Sequence, residues 1–191
     1  PMQVVEPANP VRDVRNLKDL RYVARVKANS GFLFLCNTQV RVLMPDKQVT
    51  MKVNLPGETI LFPSFLLKGQ TTAILPFNMT VESILIKYAT AQPFAKITNE
   101  GATTIFFQQL PAVNPQVQID MTMVKSIDAK GWQVKRINNN SIFTAGSGKF
   151  IKLIDKNGRA ITLVFLSRKE TENSWRLRIR NTEALLITDA D

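Results

Sequence analysis

Alternation between apolar and polar residues is the main pattern along this chain. It is strictest from Trp175 to Arg180, where three apolar residues alternate with three arginines. A period of two places successive side chains on opposite faces of a strand, so this segment predicts a half-buried β-strand with a cationic outer face. Shorter apolar or alternating runs predict that strands dominate the whole chain. The predicted strands cover residues 22–27, 32–36, 40–44, 49–53, 60–67, 72–77, 94–97, 103–109, 116–124, 132–137, 141–145, 149–154, 160–166 and 175–180.

Two turn sequences lie between the strands near the end of the chain. Asn157-Gly158 separates two apolar runs, which is the strongest short-range signal for a hairpin because a type I′ turn needs a positive φ at both central residues. Gly146-Ser147-Gly148 has the composition of another tight turn. The strands from residue 141 to residue 166 are therefore expected to form a meander.

One segment changes from a strand period to a helix period. Val81, Ile84, Leu85 and Tyr88 are spaced at i, i+3, i+4 and i+7, which places them on one face of a helix. Thr80 is a suitable N-cap residue. The spacing therefore predicts a helix that begins near residue 81 and ends before residue 93.

Two further helices are predicted near the ends of the chain. Asn9-Pro10 is a helix-start signature, because asparagine caps well and proline fits the first helical position. That helix would end near Leu20. A second short helix, capped by Asn181 or Thr182, is predicted to run to Ile187.

An internal repeat connects two parts of the sequence. Sliding the chain by 101 residues aligns Gly57 with Gly158 and residues 81–86 with residues 182–187. A turn, a strand and a helix start agree at this one offset, which favours a duplicated unit over a chance overlap of two meanders. The predicted fold is therefore α+β and β-dominated, with two pseudo-repeated antiparallel four-stranded sheets each followed by a helix. A basic N-terminal arm, helix and strand at 1–30 would precede one domain at 31–191, with repeats at about 31–91 and 131–191 and a linking β region at 92–130.

Composition narrows the classes of function. The chain has 191 residues, 45% hydrophobic content, a formal charge of +10, no histidine and one cysteine. Without histidine, catalytic triads and most zinc sites are excluded, and no cofactor or metal site and no enzymatic activity is predicted. The single cysteine favours a reducing compartment such as the cytoplasm, and no apolar run is long enough for membrane insertion. The basic balance favours a polyanionic partner, with nucleic acid first.

The candidate contact residues are mostly cations. Arg176, Arg178 and Arg180 would form a track for phosphates, and the alternative is a solvated strand face whose charges prevent edge-to-edge aggregation. Trp175 alternates with these arginines and is expected in the core. Further predicted members of the track are Lys149, Lys152, Arg159, Lys135 and Arg136. Trp132, Trp175, Phe32 and Phe34 are the candidates for stacking with bases, and the basic N-terminal segment is a second candidate contact.

The order of four strands and then a helix, used twice in a basic chain, resembles the Whirly fold. The resemblance covers about residues 32–187 and extends to the Whirly-like RNA-binding proteins of nucleus-forming jumbo phages. It implies two crossed sheets and binding of single-stranded nucleic acid. The lysine-glycine-lysine signature of the plant members is absent, and Lys156-Asn157-Gly158-Arg159-Ala160 only partly matches it.

Two hypotheses for function follow. The first is non-catalytic binding of single-stranded nucleic acid with low sequence specificity, with RNA favoured over DNA. The second is a structural or assembly protein, such as a virion or secretion-machine component, that acts through protein contacts or as a homo-oligomer. A continuous positive groove favours the first hypothesis, and an exposed apolar interface favours the second.

Overall fold

The computed structural model, which describes residues 1–188, consists almost entirely of β-strands. Strands account for 61% of the structure and helix for 3%. The first ten strands are β1 (Gln3–Val5), β2 (Arg21–Lys27), β3 (Ser30–Asn37), β4 (Lys47–Val49), β5 (Lys52–Leu55), β6 (Glu58–Leu61), β7 (Phe65–Leu67), β8 (Thr71–Val81), β9 (Ile84–Ala89) and β10 (Ala91–Asn99). The rest of the elements are β11 (Ala102–Gln109), β12 (Gln116–Asp120), β13 (Val124–Asp128), β14 (Trp132–Ile137), β15 (Asn140–Ala145), β16 (Phe150–Asp155), β17 (Ala160–Leu166), α1 (Arg168–Glu172), β18 (Ser174–Ile179) and β19 (Thr182–Ile187).

The strands form two large sheets and three small ribbons. The order in the eight-stranded sheet is β1-β2-β3-β8-β9-β12-β15-β14, and in the five-stranded sheet it is β10-β11-β17-β16-β13. Within the five-stranded sheet β11 and β17 run parallel. The ribbons are β4-β7, β5-β6 and β18-β19. The predicted fold of two four-stranded sheets, each followed by a helix, is therefore wrong.

Two apolar clusters form the core. The larger one lies between the two sheets and contains Phe143 from β15 and Phe107 and Phe165 from the five-stranded sheet. The rings of Phe107 and Phe165 are stacked, with centroids 5.0 Å apart. The second cluster covers the other half of the eight-stranded sheet, where Leu35 and Leu75 pack under the β4-β7 and β5-β6 ribbons.

The chain passes between the two sheets at Thr90. This residue alone separates β9 from β10, and it is buried together with Ala89 and Ala91. Its backbone N–H donates to the carbonyl of Gln116 at 2.9 Å, and its hydroxyl accepts from the Gln116 N–H at 2.8 Å. Small side chains allow such a bend, which is how strands switch sheets at the corners of a sandwich.

The helix predicted at residue 81 is two strands joined by a tight turn. Val81 at the end of β8 pairs with Ile84 at the start of β9, and Glu82 between them has φ 54°. Ile84, Ile86 and Tyr88 then alternate inward. The helical spacing is imitated because a two-residue turn puts its flanking residues on the same face, three positions apart.

The other helix predictions are also wrong. Residues 182–187 form β19, and the segment from Asn9-Pro10 to Leu20 contains turns in which the side chains of Asp13 and Asn16 bind nearby backbone N–H groups. The only helix within residues 1–188, α1, lies in a segment for which neither a strand nor a helix is predicted from the sequence. Ser167 caps it in a capping box with Glu170, a pattern that favours a helix start.

The strand predictions are largely confirmed, but their connections are not. Residues 160–166 and 132–137 form β17 and β14 with the expected bounds, whereas residues 40–44 form no strand. The turn at Gly158 joins neighbours β16 and β17 as predicted. The turn at Gly146 joins β15 in one sheet to β16 in the other, so it closes no hairpin. The Gly57 turn lies in the small β5-β6 ribbon, and its proposed counterpart at Gly158 lies in the five-stranded sheet.

A polar clasp fixes the β8-β9 turn to the five-stranded sheet. Asp155 at the end of β16 is fully buried and accepts a hydrogen bond from the Ser83 hydroxyl at 2.5 Å. It also accepts from the backbone N–H groups of Asn157 and Arg159. The Ser83 hydrogen bond, helped by these two backbone donors and against the effect of burial, lowers the pKa of Asp155 below its ordinary value of 3.8.

This clasp predicts a dependence of stability on pH. A lowered pKa in the folded state means that Asp155 stabilises the fold above its unfolded-state pKa and loses this contribution as the pH falls through the folded value. Asp155→Asn is therefore expected to lower the thermal midpoint near neutral pH, and the difference from the wild type should shrink below pH 3.8. The thermal midpoints of both proteins are measured by circular dichroism from neutral pH to below pH 3.8. A difference between the two midpoints that stays constant over this pH range would contradict the assigned role.

Candidate nucleic-acid interface

Arg176 and Arg178 of β18 are exposed and lie on the side of the ribbon that is turned toward β10. Arg176 donates to the Glu183 carboxylate on β19 at 2.6 Å. Asn99 of β10 bonds both backbone groups of Glu183, at 2.7 and 3.0 Å, and so holds the ribbon against the five-stranded sheet. Arg178 pairs with Glu183 in the register of the ribbon, and both line a cavity of about 430 Å³ beside β10. Arg180 occupies the ribbon turn with φ 56° and is exposed.

The opposite face of this ribbon is apolar and points to solvent. Trp175 is 60% exposed and Ile179 63% exposed, and Leu177 lies between them on the same face. Leu186 on β19 pairs directly with Trp175. The expectation that Trp175 lies in the core is therefore wrong, because a two-stranded ribbon at the periphery has no second layer to cover this face.

Two of the other predicted cations form ion pairs with carboxylates. Lys149 binds Glu170 at 2.7 Å, and Arg159 binds Glu82 at 2.6 Å. Burial opposes ionisation of Glu170, but hydrogen bonds from Lys149 and Ser167 leave its pKa below the ordinary value. The cations of these pairs are more than half exposed, whereas the Glu170 and Glu82 side chains are 26% and 17% exposed.

The last four predicted residues lie on β14 and β16, apart from the strands of the arginine ribbon in the chain and in the sheets. Lys152 on β16 lies 5.3 Å from the centroid of the Phe150 ring. Lys135 and Arg136 are exposed on β14, the edge strand of the other sheet. Trp132 is only 8% exposed and packs on Phe165 at 4.8 Å, so it is a core residue and too covered to stack with a base.

Phe32 and Phe34 lie side by side on an open sheet face. They are half-buried, whereas the alternate residues Leu33 and Leu35 point into the core. Register places Ile74 of β8 directly beside Phe34. This face of β3 has no ribbon above it, because the β4-β7 and β5-β6 ribbons pack against the other face.

A groove runs along these phenylalanines. It has a volume of about 430 Å³ and lies between the open sheet face and the edge of β10. We call it the Phe34 groove and define it by Phe32, Phe34, Ile74, Phe94 and Lys96. Phe94 contributes the third aromatic ring, 6.1 Å from Phe106.

Two arginines from β2 lie on this sheet face, outside the residues that line the Phe34 groove. Arg25 pairs across the sheet with Phe32, and Arg21 pairs with Cys36, so both share the face of the phenylalanines. The Arg21 guanidinium donates to the carbonyl of Asp13 at 3.0 Å. Within residues 1–188 neither arginine is ion-paired. Sequence analysis named Phe32 and Phe34, but it included these arginines only as part of the basic N-terminal segment at 1–30, its second candidate contact.

The site contains no arrangement typical of metal chemistry. In the described part of the chain no three residues among histidine, cysteine, aspartate and glutamate come together as a metal site. No helix formed by residues 1–188 is long and apolar enough to cross a membrane. The chain matches no model of a known protein family and no curated protein.

The contrast between the two tryptophans gives a direct test of the surface assignment. Acrylamide should quench Trp175 readily and Trp132 poorly, because one indole is exposed and the other is packed between the sheets. Trp132→Phe is therefore expected to give a steep quenching plot and Trp175→Phe a shallow one. Equal slopes for the two variants, both still folded by circular dichroism, would contradict the placement of these side chains.

Proposed function

We propose that this protein binds single-stranded nucleic acid in the Phe34 groove and catalyses no reaction. The supporting observation is that three aromatic rings line one groove, and that two arginines without an ion pair within residues 1–188 share the sheet face of two of these rings. Bases stack on aromatic side chains whatever their sequence, and cations beside the stack hold the phosphates. The net charge of +10 adds a long-range attraction for the same ligand.

The groove suits a single strand better than a duplex. Phe32 and Phe34 alternate along one strand, so their rings lie next to each other at the floor of the groove. Contact with them requires bases that are splayed out of a helix, as in single-stranded loops and ends. Arg21 and Arg25 lie four residues apart along β2, opposite Cys36 and Phe32 of β3, so they provide a row of cations for the backbone beside the phenylalanines.

The aromatic contribution is tested by changing rings without removing apolar volume. Phe32→Leu with Phe34→Leu keeps the sheet face apolar but removes the π surfaces, and it is expected to weaken binding by about 1–3 kcal/mol per stacked base. Anisotropy titrations with labelled RNA and DNA strands of the same sequence measure this loss and compare the two nucleic acids. Phe150→Leu, an exposed phenylalanine on the outer face of β16, is the matched control and should bind as the wild type does. A wild-type protein that binds neither strand at low salt overturns the proposed function.

The phosphate contacts are tested by salt dependence. Each phosphate that an arginine neutralises contributes about 0.7 to the slope of log affinity against log salt concentration for a single strand. Replacing Arg21 and Arg25 with glutamine should therefore reduce that slope by about 1.4. The matched control is Lys135→Gln with Arg136→Gln on β14, which should leave it unchanged. If instead the control reduces the slope and the β2 variant does not, the phosphate contacts lie on the other edge of the eight-stranded sheet.

The apolar face of the β18-β19 ribbon favours a second candidate function, assembly through protein contacts. Contiguous exposed apolar residues of this kind mark interaction sites in soluble proteins, and an isolated two-stranded ribbon is marginally stable in water. The simplest partner is a second copy of the chain, because two ribbons packed face to face would bury Trp175, Leu177 and Ile179 of both copies.

This second function predicts self-association that depends on the ribbon. Light scattering across a concentration series should show a dimer for the wild type and a monomer for Trp175→Ser with Ile179→Ser. Val134→Ser with Ile137→Ser changes exposed apolar residues on β14 and should leave the dimer intact. A wild-type protein that remains monomeric throughout the series contradicts assembly through a second copy.

A further inference from the structure

A second cavity, rich in side-chain amides, opens at one end of the Phe34 groove. It has a volume of about 460 Å³ and lies between β8, the start of β10, the end of β11 and α1. Gln70, Gln92, Gln108 and Gln109 line it, and Phe94 is shared with the Phe34 groove. Cavities of this size hold small organic groups, with a few polar atoms setting their orientation.

The cavity exists because β8 extends beyond its neighbouring strand β9. β9 pairs with β8 only from Phe77 to Val81, so the preceding residues of β8 have no strand on that side. The exposed backbone N–H of Ile74 donates instead to the side-chain oxygen of Gln92 at 3.1 Å. Gln92 is thereby fixed in place, and its NH₂ group makes no hydrogen bond within residues 1–188.

Gln108 lies next to Gln92, and its amide is free to bind a ligand. The two residues are direct partners in the β10-β11 register, so their side chains share one face at short range. Gln108 is half-buried, and within residues 1–188 neither atom of its amide makes a hydrogen bond. By contrast Gln70 is held by Thr38, and Gln109 donates to the carbonyl of Phe165 at 3.4 Å.

We propose that the amides of Gln108 and Gln92, beside the ring of Phe94, hold an adenine base of the bound strand. This inference rests on the proposed function. A carboxamide presents one acceptor and one donor side by side, which matches the amino group and adjacent ring nitrogen of adenine. Adenine offers this pair on both its Hoogsteen and its Watson–Crick edge, whereas guanine offers such a pair only on its Watson–Crick edge, because its other edge carries two adjacent acceptors that suit arginine or lysine. Cytosine and uracil also have a donor next to an acceptor, but their single rings stack over less of Phe94.

The ligand is therefore a single strand with a preference for adenine at one position. The remaining bases would stack on Phe32 and Phe34, which discriminate weakly because every base has a π face. Thr72 lines the amide cavity and Ile74 lines the Phe34 groove, and both residues also line the surface next to Arg21. One nucleic-acid strand can therefore follow this face without interruption.

The test compares homopolymers of adenosine, cytidine and uridine of equal length in anisotropy titrations. The wild type is expected to bind oligo-A about tenfold more tightly than the other two, which is within the discrimination that one bidentate amide contact provides. Gln108→Leu should reduce this ratio to about one while affinity for oligo-U changes little. Gln108→Glu keeps the shape of the side chain but removes its donors, and it should also abolish the preference. Gln133→Leu, an exposed glutamine on β14, is the matched control.

The outcomes separate the inference from the proposed function. Binding without a base preference, a preference for cytidine, or an adenosine preference that both Gln108 variants retain overturns the adenine site and leaves single-strand binding standing. Absence of binding to every strand at low salt overturns both. Thermal unfolding of the Gln108 variants is measured beside the titrations, and the more conservative Gln108→Glu decides the matter if the leucine variant is unfolded.

Discussion

The bend at Thr90 is the constraint on which the arrangement of the two sheets depends. The chain leaves the eight-stranded sheet at Ala89 and enters the five-stranded sheet at Ala91, with a single buried residue between them. Because β9 and β10 diverge there, apolar side chains of both sheets meet in one core around Phe107 and Phe165. The same divergence leaves the first half of β8 without a neighbour on one side, so a groove and a cavity remain where a flatter sheet would have continued.

Charge alone does not locate a binding surface in this protein. The excess of cations is spread over the whole chain, and several of the cations that stand out in the sequence are held by carboxylates, as in Arg176 with Glu183 and Arg159 with Glu82. The carboxylate of Glu82 is also bound by Thr103 and Lys96, and these donors, with Thr103 first, hold its pKa below the ordinary value. These ion pairs give a role within the fold to cations that stand out in the sequence. Arg21 and Arg25 have no ion-pair partner among the described residues, yet they are less conspicuous in the sequence.

The sequence predicted local structure well where period two is unambiguous, as at residues 160–166, and failed where a turn imitates a helix, as at Val81 and Ile84. It could not predict which strands become neighbours. β3 pairs with β8 across more than thirty intervening residues, and only that pairing brings Ile74 beside Phe34. Phe32 and Phe34 were therefore recognised as candidate stacking residues, but the groove and the amide cavity were not, because Ile74, Phe94 and Gln108 come from three other strands. Long-range pairings are decided by the packing of the whole core and leave no short-range signal.

The edge strand β10 links the two surfaces that the structure leaves uncovered. An edge strand presents free backbone groups, and proteins protect such edges by covering them or by placing charges on them. Here the β18-β19 ribbon covers the end near Asn99, Lys96 places a charge in the middle, and the side chain of Gln92 fills the gap toward β8. The ribbon at one end of β10 has an apolar face that is itself exposed to solvent. The glutamine amides at the other end have donors and acceptors that make no hydrogen bond within residues 1–188. Both candidate interfaces therefore follow from how this chain protects one edge β-strand, β10.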